Sequence, residues 1–267
     1  MVIKLRLETP ADYRAVEELT REAFWVTTDC RPYVDEHFLV HKLRSRSAFI
    51  SELDYVAEVD GRLAGNIMYS KSKILSPKGA EHEVLTFGPL SVLPEFQGRG
   101  VGKALMLRTF EEARKLGFKA IVIFGHPDYY PRFGFRPAGT FGITTSQGHT
   151  FPAFMALELF EGALRGIEGK FYEDSVFGDL PEEEVLRFDA SFPAKEPRSK
   201  VPIEILVDRL EPVAQTSLRS LQLTYLGQMG ALAESAVRAL PGMDEKAIAT
   251  IRSTLQEHGR IWGSGIR

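Results

Sequence analysis

One short stretch constrains this chain more than any other: residues 90–105, which read LSVLPEFQGRGVGKAL. The pattern predicts the end of a strand, a glycine-rich loop and the first turn of a helix. Gly98, Gly100 and Gly102 allow the backbone to approach a ligand closely and to adopt angles that a Cβ would forbid. The first amides of the helix have no partner within it and lie at the positive end of its dipole. The loop is therefore predicted to bind a phosphate group.

Two common nucleotide-binding loops do not fit this stretch. A Walker loop needs glycine where Gln97 stands, and Ser or Thr where Ala104 stands. A dinucleotide fingerprint needs G-x-G-x-x-G at the end of the first strand of a βαβ unit, whereas these glycines are spaced two apart with no such unit before them. A solvent-exposed turn is the simple alternative.

The residues around the glycines resemble the acetyl-coenzyme A signature of the GNAT acyltransferases. The pattern Leu-x-Val-x-Pro-x-x-Gln-x-x-Gly-x-Gly runs from Leu90 to Gly102 with every anchor position filled. Residues 130–135, YPRFGF, are similar to the family's Tyr-x-x-x-Gly-Phe segment. The resemblance covers residues 1–160. It implies an α/β fold with a mixed sheet and flanking helices, and acetyl-CoA as the co-substrate.

In that family the loop amides hold the pyrophosphate, and the preceding strand pairs with the pantetheine arm. The strand itself supports this reading, because Pro89 cannot donate to a ladder and a distorted strand parts from its neighbour. We therefore expect a cleft at this break. The resemblance implies an acetyl-CoA site formed by Leu90, Ser91, Val92, Gln97, Gly98, Arg99, Gly100, Val101, Gly102 and Lys103.

Acyl transfer to an amine requires a base for the amine, a donor for the oxyanion and a proton for the thiolate. Tyr130 matches the family's tyrosine beside the thioester sulfur. Its phenol, with a pKa near about 10, could protonate a thiolate whose pKa is about 8.5. We predict Tyr130 as the catalytic general acid and the Leu90 amide as the oxyanion donor. The base stays open among water, Glu22, His82, Glu83, His126 and Asp128.

The remaining pattern up to residue 160 alternates between strands and helices. Thr9-Pro10 predicts a helix start directly after an edge strand at 2–7. Residues 55–59 and 63–70 predict a hairpin across Asp60-Gly61, followed by a separate strand at 71–75. A helix at 100–116 is predicted to bury a stripe formed by Val101, Leu105, Ala113 and Leu116.

A turn at Arg31-Pro32 separates the first helix from a second one, and this region borders the acceptor pocket in the GNAT fold. Asp35, Glu36 and His37 could face a cationic substrate or could form a solvated helix start. His37 and His41 share a helix face, but Phe38 occupies the zincin glutamate position and no third ligand is evident. No metal is predicted.

The chain changes character after residue 160. Residues 161–191 are acidic and weakly periodic, which indicates an extension packed on the first domain. The proline-rich stretch 192–202 is typical of a semi-rigid linker. Residues 203–267 predict a small all-α domain, similar to the C-terminal domain of the bacterial RNA polymerase alpha subunit. The similarity includes a helix-hairpin-helix pattern at 239–248 and the features Val207-Asp208, Tyr225-Leu226-Gly227 and Leu255 to Gly259.

DNA binding by this tail is not expected. In the polymerase family, glycine amides and basic residues of the hairpin contact phosphate, but Asp244 and Glu245 stand here and only Lys246 keeps a positive charge. Basic and acidic residues are almost equal in number from residue 200 onward, and non-specific DNA affinity comes mainly from phosphate neutralisation. The tail is expected to form a protein contact, a homo-oligomer or a lid over the acceptor cleft.

Composition sets further limits. A net charge of −3 gives no general attraction to nucleic acid or anionic membrane. No apolar run approaches the roughly 20 residues that cross a bilayer, and the N-terminal residues lack a signal-peptide core. The single cysteine, Cys30, excludes an internal disulfide framework. These observations predict a cytoplasmic protein.

Two functions follow. The first is an N-acetyltransferase that moves an acetyl group from acetyl-CoA to a primary amine, on a small molecule or a protein lysine, by direct attack in a ternary complex. The alternative is a transcription-associated binding protein that senses acyl-CoA and acts through its polymerase-like tail. The complete loop signature and Tyr130 favour the first function.

Overall fold

The computed structural model describes residues 1–25, 33–178, 180–195, 201–230, 232–258 and 262. Cys30 and the turn predicted at Arg31-Pro32 lie outside the described residues. Packing divides the chain into two units. The first comprises Met1–Phe24, Asp35–Phe124 and Arg132–Ala194, and the second comprises Trp25–Val34, Gly125–Pro131 and Lys195–Arg267.

The first unit is built on a mixed sheet that has nine strands among the described residues. The strands are β1 (Ile3–Leu7), β2 (Tyr55–Val59), β3 (Arg62–Leu75), β4 (Glu81–Val92), β5 (Ala120–Phe124), β6 (Arg136–Pro137), β7 (Ile143–Thr144), β8 (Phe154–Glu158) and β9 (Gly169–Tyr172). Their order is β1-β2-β3-β4-β5-β8-β6, and β9 pairs with both β3 and β7. The β4–β5 pair is parallel, whereas β1 to β4 pair antiparallel.

Helices flank this sheet and form the second unit. The sheet is accompanied by α1 (Tyr13–Trp25), α2 (Glu36–Leu43), α3 (Val101–Lys115) and α4 (Glu182–Asp189). The second unit contains α5 (Glu204–Val207), α6 (Pro212–Ser220), α7 (Gly227–Gly230), α8 (Glu234–Arg238) and α9 (Glu245–Glu257). No described helix has the length and hydropathy needed to cross a membrane.

The predicted hairpin is confirmed, but the strand after it is longer than expected. Asp60 and Gly61 form its two-residue turn with φ of 49° and 82°. Residues 62–75 are one strand rather than two. One edge of this strand pairs with β2 as far as Ile67, and the same edge pairs with β9 from Lys73 onward. β9 itself lies in the extension 161–191, where the sequence indicated no strand.

Helix α3 follows the glycine loop as predicted. Gly100 precedes it with φ of 88°, and Gly117 follows it with φ of 86°. Its buried face comprises Val101, Leu105, Met106, Thr109, Phe110 and Ala113. The expectation that Leu116 belongs to this face is wrong: it is 47% exposed, because the helix ends at Lys115 and Leu116 lies beyond its last turn.

The first helix begins later than Thr9-Pro10 predicted. Asp12 accepts hydrogen bonds from the Thr9 amide at 2.9 Å and from the Thr9 hydroxyl at 2.6 Å. It also accepts two from Arg6, at 2.7 and 2.8 Å. These bonds close a separate turn over residues 9–12, so α1 starts at Tyr13.

The second unit has a hydrophobic core of its own. Gly242 lies in the turn before α9 with φ of 79°, and a Cβ there would meet the Ala214 nitrogen at 2.6 Å, so the turn packs tightly on α6. Both ends of the predicted linker 192–202 are packed, since Phe192 and Val201 are buried, while residues 196–200 lie outside the description. The fully enclosed side chains of the core include Leu206, Ala214, Leu226, Met229 and Ile248.

Candidate active site

The candidate site is organised around an irregularity in β4 at Gly88-Pro89, which we call the β4 break. This strand pairs with β3 from Glu81 to Val92, but among the described residues it pairs with β5 at Leu85 and Ile121 alone. On the β3 side, Met68 stands opposite both Gly88 and Pro89, and the register shifts there. The Gly88–Pro89 peptide is cis. The register shift confirms the distortion predicted at Pro89 as a bulge, although β4 runs as one strand from Glu81 to Val92.

The glycine loop at the end of β4 leaves open space above its backbone. Gly98 and Gly100 have φ of 71° and 88°, and a Cβ on either would meet no atom within 4 Å. The Ala104 amide donates to the Gly100 carbonyl at 2.9 Å, which is the first hydrogen bond of α3. The amides of residues 101–103 consequently have no acceptor within the helix. Open space beside unpaired amides fits a phosphate-bearing ligand.

Side chains tie this loop to the strand and add positive charge. The Gln97 amide donates to the Val92 carbonyl at 3.0 Å, which fixes the loop against the end of β4. Arg99 and Lys103 are exposed, and neither forms an ion pair within the described part of the chain. The loop therefore presents backbone amides and two cationic side chains in the same short segment, an arrangement that attracts an anion.

Ser91 contributes differently from its neighbours Leu90 and Val92. Its side chain is buried and its hydroxyl donates to the Thr20 hydroxyl of α1 at 3.0 Å. Only the main chain of Ser91 is left for a ligand. Gly65 lies opposite Val92, and a Cβ there would meet the Ser91 carbonyl at 2.9 Å and Val101 at 3.0 Å. The small residue at 65 thus permits β4 and α3 to pack closely on β3.

Tyr130 begins a short 3-10 segment, Tyr130–Phe133, and belongs with Gly125–Pro131 to the second unit. Its amide donates to the His126 carbonyl at 3.2 Å, and its ring meets the Tyr129 ring edge-on with centroids 5.1 Å apart. Burial, with a smaller effect of Tyr129, raises the pKa of the Tyr130 phenol above its usual value. The phenol therefore keeps its proton at neutral pH.

Three of the candidate bases are less available to take a proton from the amine. Asp128 and Glu83 have hydrogen-bond or ion-pair partners, and burial disfavours the protonated form of His126. Asp128 accepts from the Ser235 hydroxyl at 2.7 Å, and although burial opposes it, hydrogen bonding to residue 235 lowers the Asp128 pKa. Burial lowers the pKa of His126, whose Nδ1 accepts from the Asp128 amide at 3.2 Å. Glu83 pairs with Lys71 at 3.2 Å.

Sequence reasoning missed another candidate base, the carboxyl group of Glu173. Burial raises its pKa to about 7, and it forms no hydrogen bond or ion pair with the described residues. Glu173 follows Tyr172, which pairs with Lys73 on β3, and the chain continues to Phe177, whose ring lies 3.6 Å from a Cβ built on Gly88. The stretch 172–177 therefore runs from β3 to the break in β4. No local signal identified it, because β9 itself was not predicted.

The start of α2 is buried, so the expectation of a solvated helix start is wrong. Asp35, Glu36 and His37 are at most 7% exposed. The reason lies in α4: the Asp189 carboxylate is 3.0 Å from His37 Nε2 and accepts two hydrogen bonds from Arg21, at 2.6 and 2.9 Å. Burial lowers the pKa of His37 despite this carboxylate. The acidic extension thus contacts α1 and α2 through Asp189.

The two histidines of α2 contact different carboxylates. His41 Nδ1 is 3.0 Å from Glu17 Oε1, whereas His37 contacts Asp189. Among the residues that the structure describes, no group of three His, Cys, Asp or Glu side chains is arranged to hold a metal ion. The helical spacing of the histidines therefore reflects two structural contacts.

Comparisons with known proteins agree with this geometry. Residues 13–135 match the model of the acetyltransferase (GNAT) family. YhbS of Escherichia coli K12, an uncharacterized N-acetyltransferase, is 26% identical over 165 residues, which are 62% of this chain and 92% of YhbS. The crystal structure of E. coli YhbS in complex with CoA covers 67% of this chain and 93% of its own, with a TM-score of 0.59 and 26% identity.

A second solved structure extends the likeness. A GNAT family acetyltransferase from Brucella melitensis, crystallised with acetyl-CoA, is 28% identical with a TM-score of 0.52, and the match covers 66% of this chain and 98% of that one. The family match, the relatives and the split strand before a glycine loop all lead to one identification. The first unit has the mixed α/β GNAT fold, and residues 13–135 match the GNAT acetyltransferase family.

Proposed function

We propose that this protein is an acetyl-CoA-dependent N-acetyltransferase that acetylates a primary amine by direct attack in a ternary complex. The observation that carries the proposal is the loop at 97–103, with open space over two left-handed glycines beside the β4 break. The co-crystallised CoA of YhbS and acetyl-CoA of the Brucella enzyme support the same co-substrate here.

The proposed acetyl-CoA site uses the main chain of Leu90, Ser91 and Val92 for the pantetheine arm. The amides of residues 98–103 would hold the pyrophosphate, with Arg99 and Lys103 adding charge. When bound, acetyl-CoA supplies an activated acetyl thioester. The Leu90 amide is the proposed donor for the oxyanion, because main-chain groups on the β5 side of β4 are released where the two strands part.

Tyr130 is the proposed general acid. A phenol whose pKa is raised by burial is protonated at neutral pH and can therefore donate to the sulfur. A thiol has an ordinary pKa of about 8.5, below that of the phenol, so Tyr130 acts chiefly by donating a hydrogen bond that stabilises the charge as it develops on the sulfur.

Glu173 is the proposed proton acceptor for the amine. An efficient general base has a pKa near the working pH, and burial brings that of Glu173 to about 7. Its segment also reaches Gly88 through Phe177. Gly88 lies on β4, the strand that binds the pantetheine arm in the proposal. Asp128 and Glu83 are less suitable, since their carboxylates already have partners.

The acceptor is a primary amine on a small molecule or a protein lysine, and the location is the cytoplasm. The second unit is not a DNA-binding surface in this proposal, because described cations in it pair with carboxylates: Lys246 lies 3.0 Å from Glu211, and Arg252 lies 2.6 Å from Glu234. The hairpin residue Asp244 accepts a hydrogen bond from the Ala247 amide at 2.8 Å, so it caps α9. The resemblance of this unit to the polymerase alpha domain stays a hypothesis.

The experiment is a steady-state comparison of wild type with Tyr130→Phe on an accepted amine. We expect kcat to fall by about 10²- to 10⁴-fold, the usual contribution of a general acid, while KM for acetyl-CoA changes little. Tyr225→Phe in the second unit is the matched control and should leave both constants unchanged. An unaltered kcat in Tyr130→Phe would remove this residue from the mechanism.

A further inference from the structure

The turn that carries Tyr130 is held together by His126. The amides of Tyr129 and Tyr130 donate to the His126 carbonyl at 3.0 and 3.2 Å. The Asp128 amide donates to His126 Nδ1 at 3.2 Å. The position of the phenol therefore depends on how residues 126–128 are fixed.

Residues far along the chain fix that turn. The Ser235 hydroxyl donates to Asp128 Oδ1 at 2.7 Å, and the Ser235 amide donates to Oδ2 at 3.2 Å, so both carboxylate oxygens are engaged across 107 residues of sequence. Just before Ser235, the Leu232 carbonyl accepts from the Trp262 indole at 3.0 Å. The Asp128 carboxylate thus accepts hydrogen bonds from Ser235 in the first turn of α8, and the Trp262 indole binds the chain just before this helix.

We propose that Asp128 and Ser235 are positioning residues for Tyr130, so that the C-terminal helical segment serves catalysis by holding the turn of the general acid. The inference rests on the proposed function. It gives the tail a role in acetyl transfer, and it explains why Gly125–Pro131 packs as part of the same unit as Lys195–Arg267.

The size of the effect follows from geometry. Proton transfer requires the donor within hydrogen-bond reach of the acceptor, and a displacement of about 1 Å can cost on the order of 100-fold in rate. Loss of the Ser235 hydroxyl removes the shorter of its two bonds to Asp128 and leaves the amide bond. We therefore expect an intermediate loss, about 10-fold in kcat, with KM for acetyl-CoA unchanged.

The kinetic test is a double-mutant cycle on the full chain. Ser235→Ala should lower kcat, Ser235→Thr should restore most of it, and Ser253→Ala should match wild type, because the exposed Ser253 hydroxyl donates to the Thr250 carbonyl within α9. In a Tyr130→Phe background, Ser235→Ala should have no further effect, since no phenol is left to position. An equal loss in both backgrounds, or no loss in wild type, would overturn the inference.

A second readout does not need turnover. Amide hydrogen exchange of peptides covering 126–130 should be faster in Ser235→Ala than in wild type, while Ser253→Ala leaves it unchanged. Unaltered exchange in this turn contradicts the inference even if no amine substrate is found. Faster exchange in an enzyme that acetylates nothing contradicts the proposed function alone, and a Tyr130→Phe enzyme with wild-type kcat contradicts both the acid role and its positioning.

Discussion

A side chain placed over the glycine loop should block acetyl-CoA without harming the fold. Gly100 and Gly79 have nearly the same φ, 88° and 84°, and a Cβ added at either would meet no atom within 4 Å. Asn is among the residues that tolerate this conformation best. Gly100→Asn and Gly79→Asn should therefore lose similar stability, about 1 kcal/mol or less, which corresponds to roughly 2–4 °C in Tm.

The affinity for CoA should differ between the two variants. The Asn side chain at position 100 would occupy the space above the loop amides and displace at least one charge-assisted hydrogen bond, worth about 1.5–3 kcal/mol. That loss corresponds to a rise of about 10- to 150-fold in the Kd for CoA. Isothermal titration with CoA measures it, and Gly79→Asn should bind as wild type does. If Gly100→Asn binds CoA as tightly as Gly79→Asn, the loop is not the pyrophosphate site.

Three further outcomes follow from charge and burial. Arg99→Ala combined with Lys103→Ala should weaken CoA binding about 10-fold and reduce its salt dependence, as titrations at two ionic strengths would report. Glu173→Gln should lower kcat/KM by about 100-fold and remove the acidic limb near pH 7 from its pH profile, whereas Glu83→Gln should keep that limb. Burial and the Glu8 carboxylate raise the pKa of Asp54 to about 9. Because an unfolded Asp titrates near about 3.9, this group makes stability fall as pH rises from about 4 to about 9. Asp54→Asn should flatten that fall and raise Tm at pH 8 by a few degrees, measured by calorimetry.

The parts of the fold that sequence reasoning predicted depend on short-range patterns. Gly100 and Gly117 bracket α3 within a single segment, and the Asp60-Gly61 turn joins adjacent strands, so local chemistry was sufficient. β9 was missed because its four residues carry little periodicity and its partner on β3 lies about a hundred residues earlier. A strand of that kind is defined by its neighbour rather than by its own sequence.

The same distinction applies to the candidate site. The loop motif identified the region predicted to bind acetyl-CoA, since its glycines and anchor residues are contiguous. The burial of His37 could not be predicted, because Asp189 reaches it from a helix more than 150 positions away. Glu173 and the Asp128–Ser235 contact were missed for the same reason: each depends on tertiary pairing, and none of the three residues belongs to a motif.

The central claim is that an amine accepts the acetyl group of acetyl-CoA on this protein. The most direct measurement incubates the full chain with acetyl-CoA and a panel of amines, including polyamines, aminoglycosides, amino acids and lysine peptides, and follows free thiol together with the acetylated product by mass spectrometry. We predict that at least one class releases thiol and forms product in equal amounts, and that Tyr130→Phe slows both. Tight binding of acetyl-CoA with no amine raising thiol release above the rate of hydrolysis would contradict the claim and favour an acyl-CoA sensor.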